Sequence, residues 1–240
     1  MYKESHRRSL LKMLTWRVSG SLATVVLVLV FTHEPLIALT VGGLEVFAKM
    51  ALYFVHERIW DRIKFGRRRV EPAVFWFTGL SGAGKSTLAE RTHAYLARQG
   101  YPVELLDGDV VRSIFPSTGF TKADRDHHIR RVGFLASMLE KNGVFVASAF
   151  ISPYRGVRDE VRGMCARFVE IHVDTPLEVC ERRDVKGLYR RARAGEIKSF
   201  TGIDDPYEAP VRPEIVVHTE GQTIDETFAA LRPQIDRYLR

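Results

Sequence analysis

The stretch Gly79-Leu80-Ser81-Gly82-Ala83-Gly84-Lys85-Ser86 has the spacing G-x-x-x-x-G-K-S of a phosphate-binding loop. Each residue type has a task there. Glycines let the backbone turn its N–H groups inward around phosphate oxygens, a lysine reaches the outer phosphates, and a serine hydroxyl ligates Mg²⁺. The expected nucleoside triphosphate cradle is therefore Gly79, Leu80, Ser81, Gly82, Ala83, Gly84, Lys85, Ser86 and Thr87. A second group, Leu106-Asp107-Gly108-Asp109, closes an apolar run with two carboxylates. One would position Mg²⁺ and its waters, and the other would accept a hydroxyl proton. An Asp-Gly pair by itself marks only a turn; its place beside a phosphate loop favours chemistry.

These residues need a frame. The loop follows the apolar run Ala73 to Phe77 and precedes a helical pattern reaching about Gln99. Further strands are expected at Pro102 to Leu106, Val144 to Phe150, Phe168 to Val173 and Ile215 to His218. Helices are expected from about Ala123 to Asn142 and from Thr223 to Leu239. Strands alternating with helices predict a P-loop-type parallel sheet covered by helices on both faces, with ligands at the carboxyl ends of its strands.

Composition separates the chain into two parts. Residues 1–70 hold 12 of the 36 Lys/Arg and 5 of the 29 Asp/Glu, so the whole excess of positive charge lies there and residues 71–240 are balanced. That argues against a nucleic-acid-binding face on the larger part and for a membrane-surface role of the smaller one. Val18 to Thr32 is free of charge and rich in Val and Leu, and a second apolar stretch runs from Leu36 to Val55. Two helices of this length, with basic residues at both outer ends and none between them, predict a hairpin in the lipid bilayer with both termini in the cytoplasm, the alternative being an interfacial or protein-covered hairpin. Glu45 and Lys49 would pair across one turn inside the second span, where Gly42 and Gly43 allow a neighbouring helix to approach. Gly66 to Pro72 reads as the linker, which divides the chain into a membrane anchor at 1–70 and a catalytic domain at 71–240. Only Cys165 and Cys180 occur; both read as ordinary buried thiols of a reducing compartment, and no spacing suggests zinc.

The motifs taken together resemble the adenylyl-sulfate kinase family. They are Phe77-Thr78-Gly79 through Ala89, Leu106-Asp107-Gly108-Asp109, Phe150-Ile151-Ser152-Pro153-Tyr154-Arg155, Val173-Asp174-Thr175-Pro176 and the run from Lys186 through Phe200-Thr201-Gly202-Ile203-Asp204-Asp205-Pro206-Tyr207-Glu208-Ala209-Pro210. The resemblance covers roughly residues 73 to 238. It implies transfer of a phosphoryl group from ATP, with Mg²⁺, to the ribose 3′-hydroxyl of adenosine 5′-phosphosulfate (APS), giving 3′-phosphoadenosine 5′-phosphosulfate. It implies Asp109 as general base, Asp107 with Ser86 as metal ligands, Lys85 and Lys186 as catalytic cations, and Lys186 to Tyr207 as a lid. For the acceptor it implies Arg112, Phe120, Arg125, His128, Ile151, Ser152, Lys198 and Phe200. Ser152 aligns with a serine described in this family as a phosphorylated intermediate, although in-line transfer from ATP explains the chemistry without it. Family members are often dimeric, so a homodimer is an expectation. The N-terminal stretches around Thr15-Trp16-Arg17, Gly42-Gly43-Leu44-Glu45-Val46 and His56-Glu57-Arg58-Ile59-Trp60 resemble an uncharacterised family of two-span bacterial membrane domains, which places the expected protein in the bacterial inner membrane.

Two positions depart from the kinase pattern. Val110 and His128 stand where the family usually has Asn, and each loses an amide that donates and accepts at once. The departures keep open a related kinase acting on another nucleotide. A regulatory nucleotide-binding membrane module is the third reading, with the intact Lys85, Ser86, Asp107 and Asp109 counting against it.

Overall fold

The computed structural model describes residues 2–4, 6–31, 35–63, 67–114, 119 and 121–239; for 2–4, 6, 17, 21–22, 24–31, 35–46, 67–69, 109 and 113 only the course of the backbone is described. The chain divides into two compact units, Met1–Val70 and Glu71–Arg240.

In the first unit, α1 (His6–Phe31) and α2 (Pro35–Arg62) form a hairpin, and β1 (Tyr2–Glu4) pairs antiparallel with β2 (Arg67–Arg69). The cross-helix partners run in opposite directions. Arg8 donates to the carbonyls of Trp60 and Ile63, Lys12 meets Glu57 at 3.4 Å, Thr15 bonds His56 at 2.8 Å, and Trp16 packs edge-on against Tyr53. Arg8 is fully buried and serves the last turn of α2, whose carbonyls have no partner within their own helix. Among the described residues no helix is long and apolar enough to cross a membrane. The surroundings of Gly42 and Gly43 and the side chain of Glu45, and with it the expected Glu45–Lys49 pair, lie outside what is described.

In the second unit β3 (Val74–Thr78) is the central strand. Its Val-Phe-Trp-Phe-Thr sequence is β-branched and aromatic and is buried throughout, as a strand covered on both faces must be. It lies between β5 (Phe145–Ala149) and β6 (Phe168–Asp174), with β4 (Val103–Asp107) and β7 (Ile215–His218) outside them. The order is β4-β5-β3-β6-β7, and every pairing is parallel. Helices α3 (Lys85–Arg98) and α9 (Ile224–Asp236) pack against each other on one face; α5 (Lys122–Lys141) and α6 (Arg155–Met164) do so on the other. Val74 and Trp76 enter a core with Ile129, Val132 and Val161, while Phe75 on the opposite face stacks on Phe145 and meets Tyr238. Both α5 and α9 begin with a capping box, Thr121 with Asp124 and Thr223 with Glu226, which satisfies orphan N–H groups at their first turns.

The expected strands and long helices lie within a few residues of their observed bounds. Four short helices do not appear in the sequence reading: α4 (Gly108–Ile114), α6, α7 (Leu177–Arg183) and α8 (Leu188–Arg193). Segments of 6 to 10 residues carry too few turns for an apolar period to emerge. Cys165 is a second correction: it is half-buried rather than buried, and burial pushes its thiol up to about 12.

The two helices on the α5/α6 face touch at Gly133. A Cβ there would stand 2.5 Å and 2.8 Å from the two methyls of Val161, itself fully buried. Alanine is the better helix former by about 1 kcal/mol, but the stiff β-branched neighbour leaves no room, and overpacking costs about 1–3 kcal/mol. Gly133→Ala is therefore expected to lower the urea midpoint of unfolding; a variant equal to or more stable than the parent would show that the α5–α6 contact yields freely.

Candidate active site

The phosphate loop bridges β3 and α3 at the carboxyl edge of the sheet. Gly79 has φ 151° and a Cβ at this position would lie 2.6 Å from the carbonyl oxygen of Val173 on β6, so only glycine fits. Gly84, at φ 105°, caps the start of α3 in a conformation that costs other residues dearly. Four carbonyls of the loop, those of Leu80, Ser81, Gly82 and Ala83, meet side-chain donors. Lys85 Nζ donates to Leu80 at 2.7 Å, Tyr189 Oη to Ser81 at 2.9 Å, and Arg183 to Gly82 at 3.3 Å. The Ala83 carbonyl accepts from the hydroxyls of Thr219 at 3.1 Å and Thr175 at 3.3 Å. These donors come from α3, α7, α8 and the ends of β6 and β7. Thr87, on the first turn of α3, is half-buried.

Ser86 donates to Asp107 Oδ2 at 2.8 Å, which joins the two expected metal ligands at the tip of β4. Among the described residues no cluster of three or more His, Cys, Asp or Glu forms. A hydroxyl beside one carboxylate, with room for water and phosphate oxygens, fits Mg²⁺, which rarely takes an all-protein cage. Asp109 occupies the second position of α4; its side chain lies outside the described residues.

Behind the loop, β3 and β5 share a buried polar seam. Trp76 Nε1 donates to Ser152 Oγ at 3.1 Å, Ser152 Oγ donates to Thr78 Oγ1 at 3.1 Å, and Thr78 donates to the Ile151 carbonyl at 2.7 Å. Tyr207 Oη meets Thr78 at 3.1 Å. Ser152 is 2 % exposed and has φ 38°. Its carbonyl is held at 2.6 Å by Arg158, whose guanidinium also takes the Glu208 carbonyl and the Glu170 carboxylate at 2.8 Å. The backbone of Ile151, expected to contact the acceptor, thus has its carbonyl engaged by Thr78.

On the acceptor side the structure gathers some expected residues and leaves others apart. Arg125, from α5, reaches the loop after α8, where it contacts Asp205 Oδ2 at 2.8 Å, Thr201 Oγ1 at 2.5 Å and the Ser199 carbonyl. Phe200, in that loop, is buried and packs edge-on against Tyr189 with ring centres 5.0 Å apart. Asp204 fixes the same turn by accepting the N–H groups of Ser199 and Phe200. A cavity of about 550 Å³ lies between Leu80 of the phosphate loop and residues 202–207. His128 is 2 % exposed and lies edge-on to Phe150, and neither ring nitrogen has a hydrogen-bond partner among the described residues. Burial, and then the Arg112 and Arg131 charges, lower its pKa to about 4, so it is neutral at pH 7. Arg112 is half-buried at the end of α4, and Val110 beside it is exposed. Lys186 and Lys198 are exposed on the lid segment, which contains α8 and two surface pairs, Arg191–Glu196 and Arg193–Glu181. Phe120 lies outside the described residues.

Sequence reasoning missed Tyr154, Arg158, Arg183, Tyr189, Asp205 and Tyr207 as parts of the site. Several stand inside the quoted motifs, which signalled that the positions matter; their tasks depend on partners as far as 129 residues away along the chain.

Comparisons with known proteins agree with this geometry. Residues 71–218 match the family Adenylylsulphate kinase, and residues 10–61 match the family described as Predicted membrane protein (DUF2061). Adenylyl-sulfate kinase from Gloeothece citriformis is 56% identical over 168 residues, 69% of this chain and 96% of the relative. Adenylyl-sulfate kinase from Halothermothrix orenii is 50% identical over 161 residues, 67% of this chain and 87% of the relative. Among solved structures, APS kinase from Mycobacterium tuberculosis in complex with AMPPNP and APS superposes with a TM-score of 0.66 at 39% identity, covering 70% of this chain and 99% of that one. The hexameric APS kinase from Thiobacillus denitrificans gives 0.54 at 38% identity, covering 71% and 30%. The phosphate loop, the parallel sheet order and these matches together establish that the chain belongs to the adenylyl-sulfate kinase family.

Proposed function

We propose that the chain transfers the γ-phosphoryl group of ATP to the 3′-hydroxyl of APS. The observation that carries this reading is the Ser86–Asp107 pair at 2.8 Å beside a glycine-built loop, which Tyr189 links to the buried Phe200 of the acceptor-side loop. The loop amides from Gly79 to Thr87 hold the triphosphate. Lys85 exchanges the Leu80 carbonyl for phosphate oxygens, and Ser86 and Asp107 would hold Mg²⁺, which would supply neutralising charge for the transferred group. Asp109 takes the proton of the attacking hydroxyl. Arg112, Arg125, Lys198, Ile151 and Phe200 bind the acceptor, with Phe120 as a second aromatic face, and Lys186 closes with the lid to add positive charge. The Ser152 hydroxyl, buried and tied to Trp76 and Thr78, orders the loop between β5 and α6; its burial supports direct in-line transfer. Neutral His128 replaces the family's Asn with one donor and one acceptor.

The kinase is tethered to the inner membrane by the α1–α2 hairpin, with its catalytic unit in the cytoplasm. Support comes from an inverted surface. Leu14, Val18, Phe47, Met50 and Phe54 are 60 % or more exposed, while Arg8 is fully buried against the end of α2 and Thr15 bonds His56 across the hairpin. Water-soluble proteins show the opposite. Trp16, Tyr53 and Trp60 beside Arg58 and Arg62 suit a headgroup boundary. Self-association into a homodimer completes this reading.

Incubating the purified protein with ATP, Mg²⁺ and APS, beside other nucleotides, and identifying products by mass spectrometry is expected to show APS-dependent 3′-phosphorylation. Lys85→Ala should lose about 10²- to 10³-fold in kcat. Phosphorylation of another nucleotide alone would make Val110 and His128 specificity positions. The full chain is expected to float with membranes in a density gradient and 71–240 to remain soluble and active; a soluble full chain would sink the tether. His128 also sets an acid limb. Its folded pKa of about 4 lies below the ordinary histidine value of about 6.5, so the unfolded chain binds the extra proton and stability falls as pH drops through that interval. His128→Asn should remove on the order of 1–2 kcal/mol of the stability loss between pH 7 and pH 5, read from urea midpoints; an unchanged slope would show that His128 titrates normally.

A further inference from the structure

We infer that Asp205 and Tyr154 are positioning residues for the acceptor, holding the Arg125 guanidinium and the 199–205 loop as one unit. The inference rests on the reading of Arg125 and Phe200 as acceptor contacts. Arg125 comes from the first turns of α5, Tyr154 from the segment between β5 and α6, and Asp205 from the loop after α8, so three distant parts of the chain meet at one carboxylate. Tyr154 Oη stands 2.9 Å and 2.8 Å from the two Asp205 oxygens, and Arg125 Nη1 donates to Oδ2 at 2.8 Å. The ion pair is largely withdrawn from water, with side chains 12% and 18% exposed. Tyr154 is 5 % exposed, and its phenol, pushed up to about 12 by burial and by Asp205, stays a donor at neutral pH.

The same carboxylate residue holds the loop. The Asp205 carbonyl accepts the Gly202 N–H at 2.7 Å, and its N–H donates to the Phe200 carbonyl at 3.2 Å. Arg125 adds bonds to Thr201 Oγ1 and to the Ser199 carbonyl, the residues on either side of Phe200. Those bonds engage Nη1 and Nη2, which sets the plane of the guanidinium and directs its Nε edge. A long, flexible cation is thereby fixed before an anion arrives, together with the Phe200 ring of the same loop. Such preorganisation removes the ordering cost from binding. An isolated surface ion pair would contribute little; a desolvated one with a third donor holds geometry.

The test compares initial rates of the full-length protein with its Asp205→Asn and Tyr154→Phe variants, varying ATP and APS separately. Asp205→Asn is expected to raise the KM for APS by about 10- to 100-fold, the range of a charged hydrogen bond, with the KM for ATP unchanged. Tyr154→Phe should move it the same way by a smaller factor, and Asp205→Asn should add nothing further on an Arg125→Ala background. An unchanged KM for APS in both variants, or equal shifts for ATP and APS, overturns the inference. If Asp205→Asn does not fold, Tyr154→Phe decides on the same criterion. A parent protein inert toward APS overturns the functional reading and this inference with it, whereas an active parent with indifferent variants overturns this inference alone.

Discussion

A loop that turns its N–H groups toward an anion must turn its carbonyls toward the protein, where an unpaired one costs about 1–3 kcal/mol. The phosphate loop of this chain meets that demand largely with side chains. Lys85, Tyr189, Arg183, Thr175 and Thr219 answer the carbonyls of Leu80, Ser81, Gly82 and Ala83. The sheet order supplies the donors: β6 lies directly beside β3 and β7 beside β6, so Thr175 and Thr219 stand just past their ends, 2.8 Å from each other. Tyr189 brings the lid helix α8 into the same account and passes the constraint on to Phe200 through an edge-on ring contact. The nucleotide loop and the acceptor-side loop are therefore parts of one hydrogen-bonded and packed structure.

The two units use buried arginines in the same way. Arg8 answers carbonyls at the last turn of α2, and Arg158 answers those of Ser152 and Glu208, where the backbone leaves regular structure. In each case one planar, permanently charged fork satisfies several acceptors that no regular element reaches. Their surroundings differ. Arg158 is neutralised by Glu170, whereas Arg8 lies over the ring of buried Trp60.

Strands and long helices were legible because their lengths exceed the periods that reveal them: β3, β5, β6 and β7 are continuous apolar or alternating runs, and α5 and α9 begin with capping boxes. The short helices α4, α7 and α8 were not, since seven residues or fewer make no recognisable stripe. The phosphate loop and the Asp107 carboxylate were legible for a different reason. Their chemistry is local, and backbone curvature and residue type within eight positions suffice to define it.

Residue types and spacing by themselves determined the parallel α/β class, the phosphate loop, the uneven charge and the apolar hairpin, because each depends on neighbours within a turn or a strand. Only the tertiary structure decided what Arg125, His128 and Ser152 do. Arg125 is engaged by a carboxylate 80 positions away, His128 is buried without a partner among the described residues, and Ser152 is shut between Trp76 and Thr78. A side chain's reactivity follows from its burial and its partners, and both are set by contacts between segments whose separation along the chain carries no periodic or compositional signal.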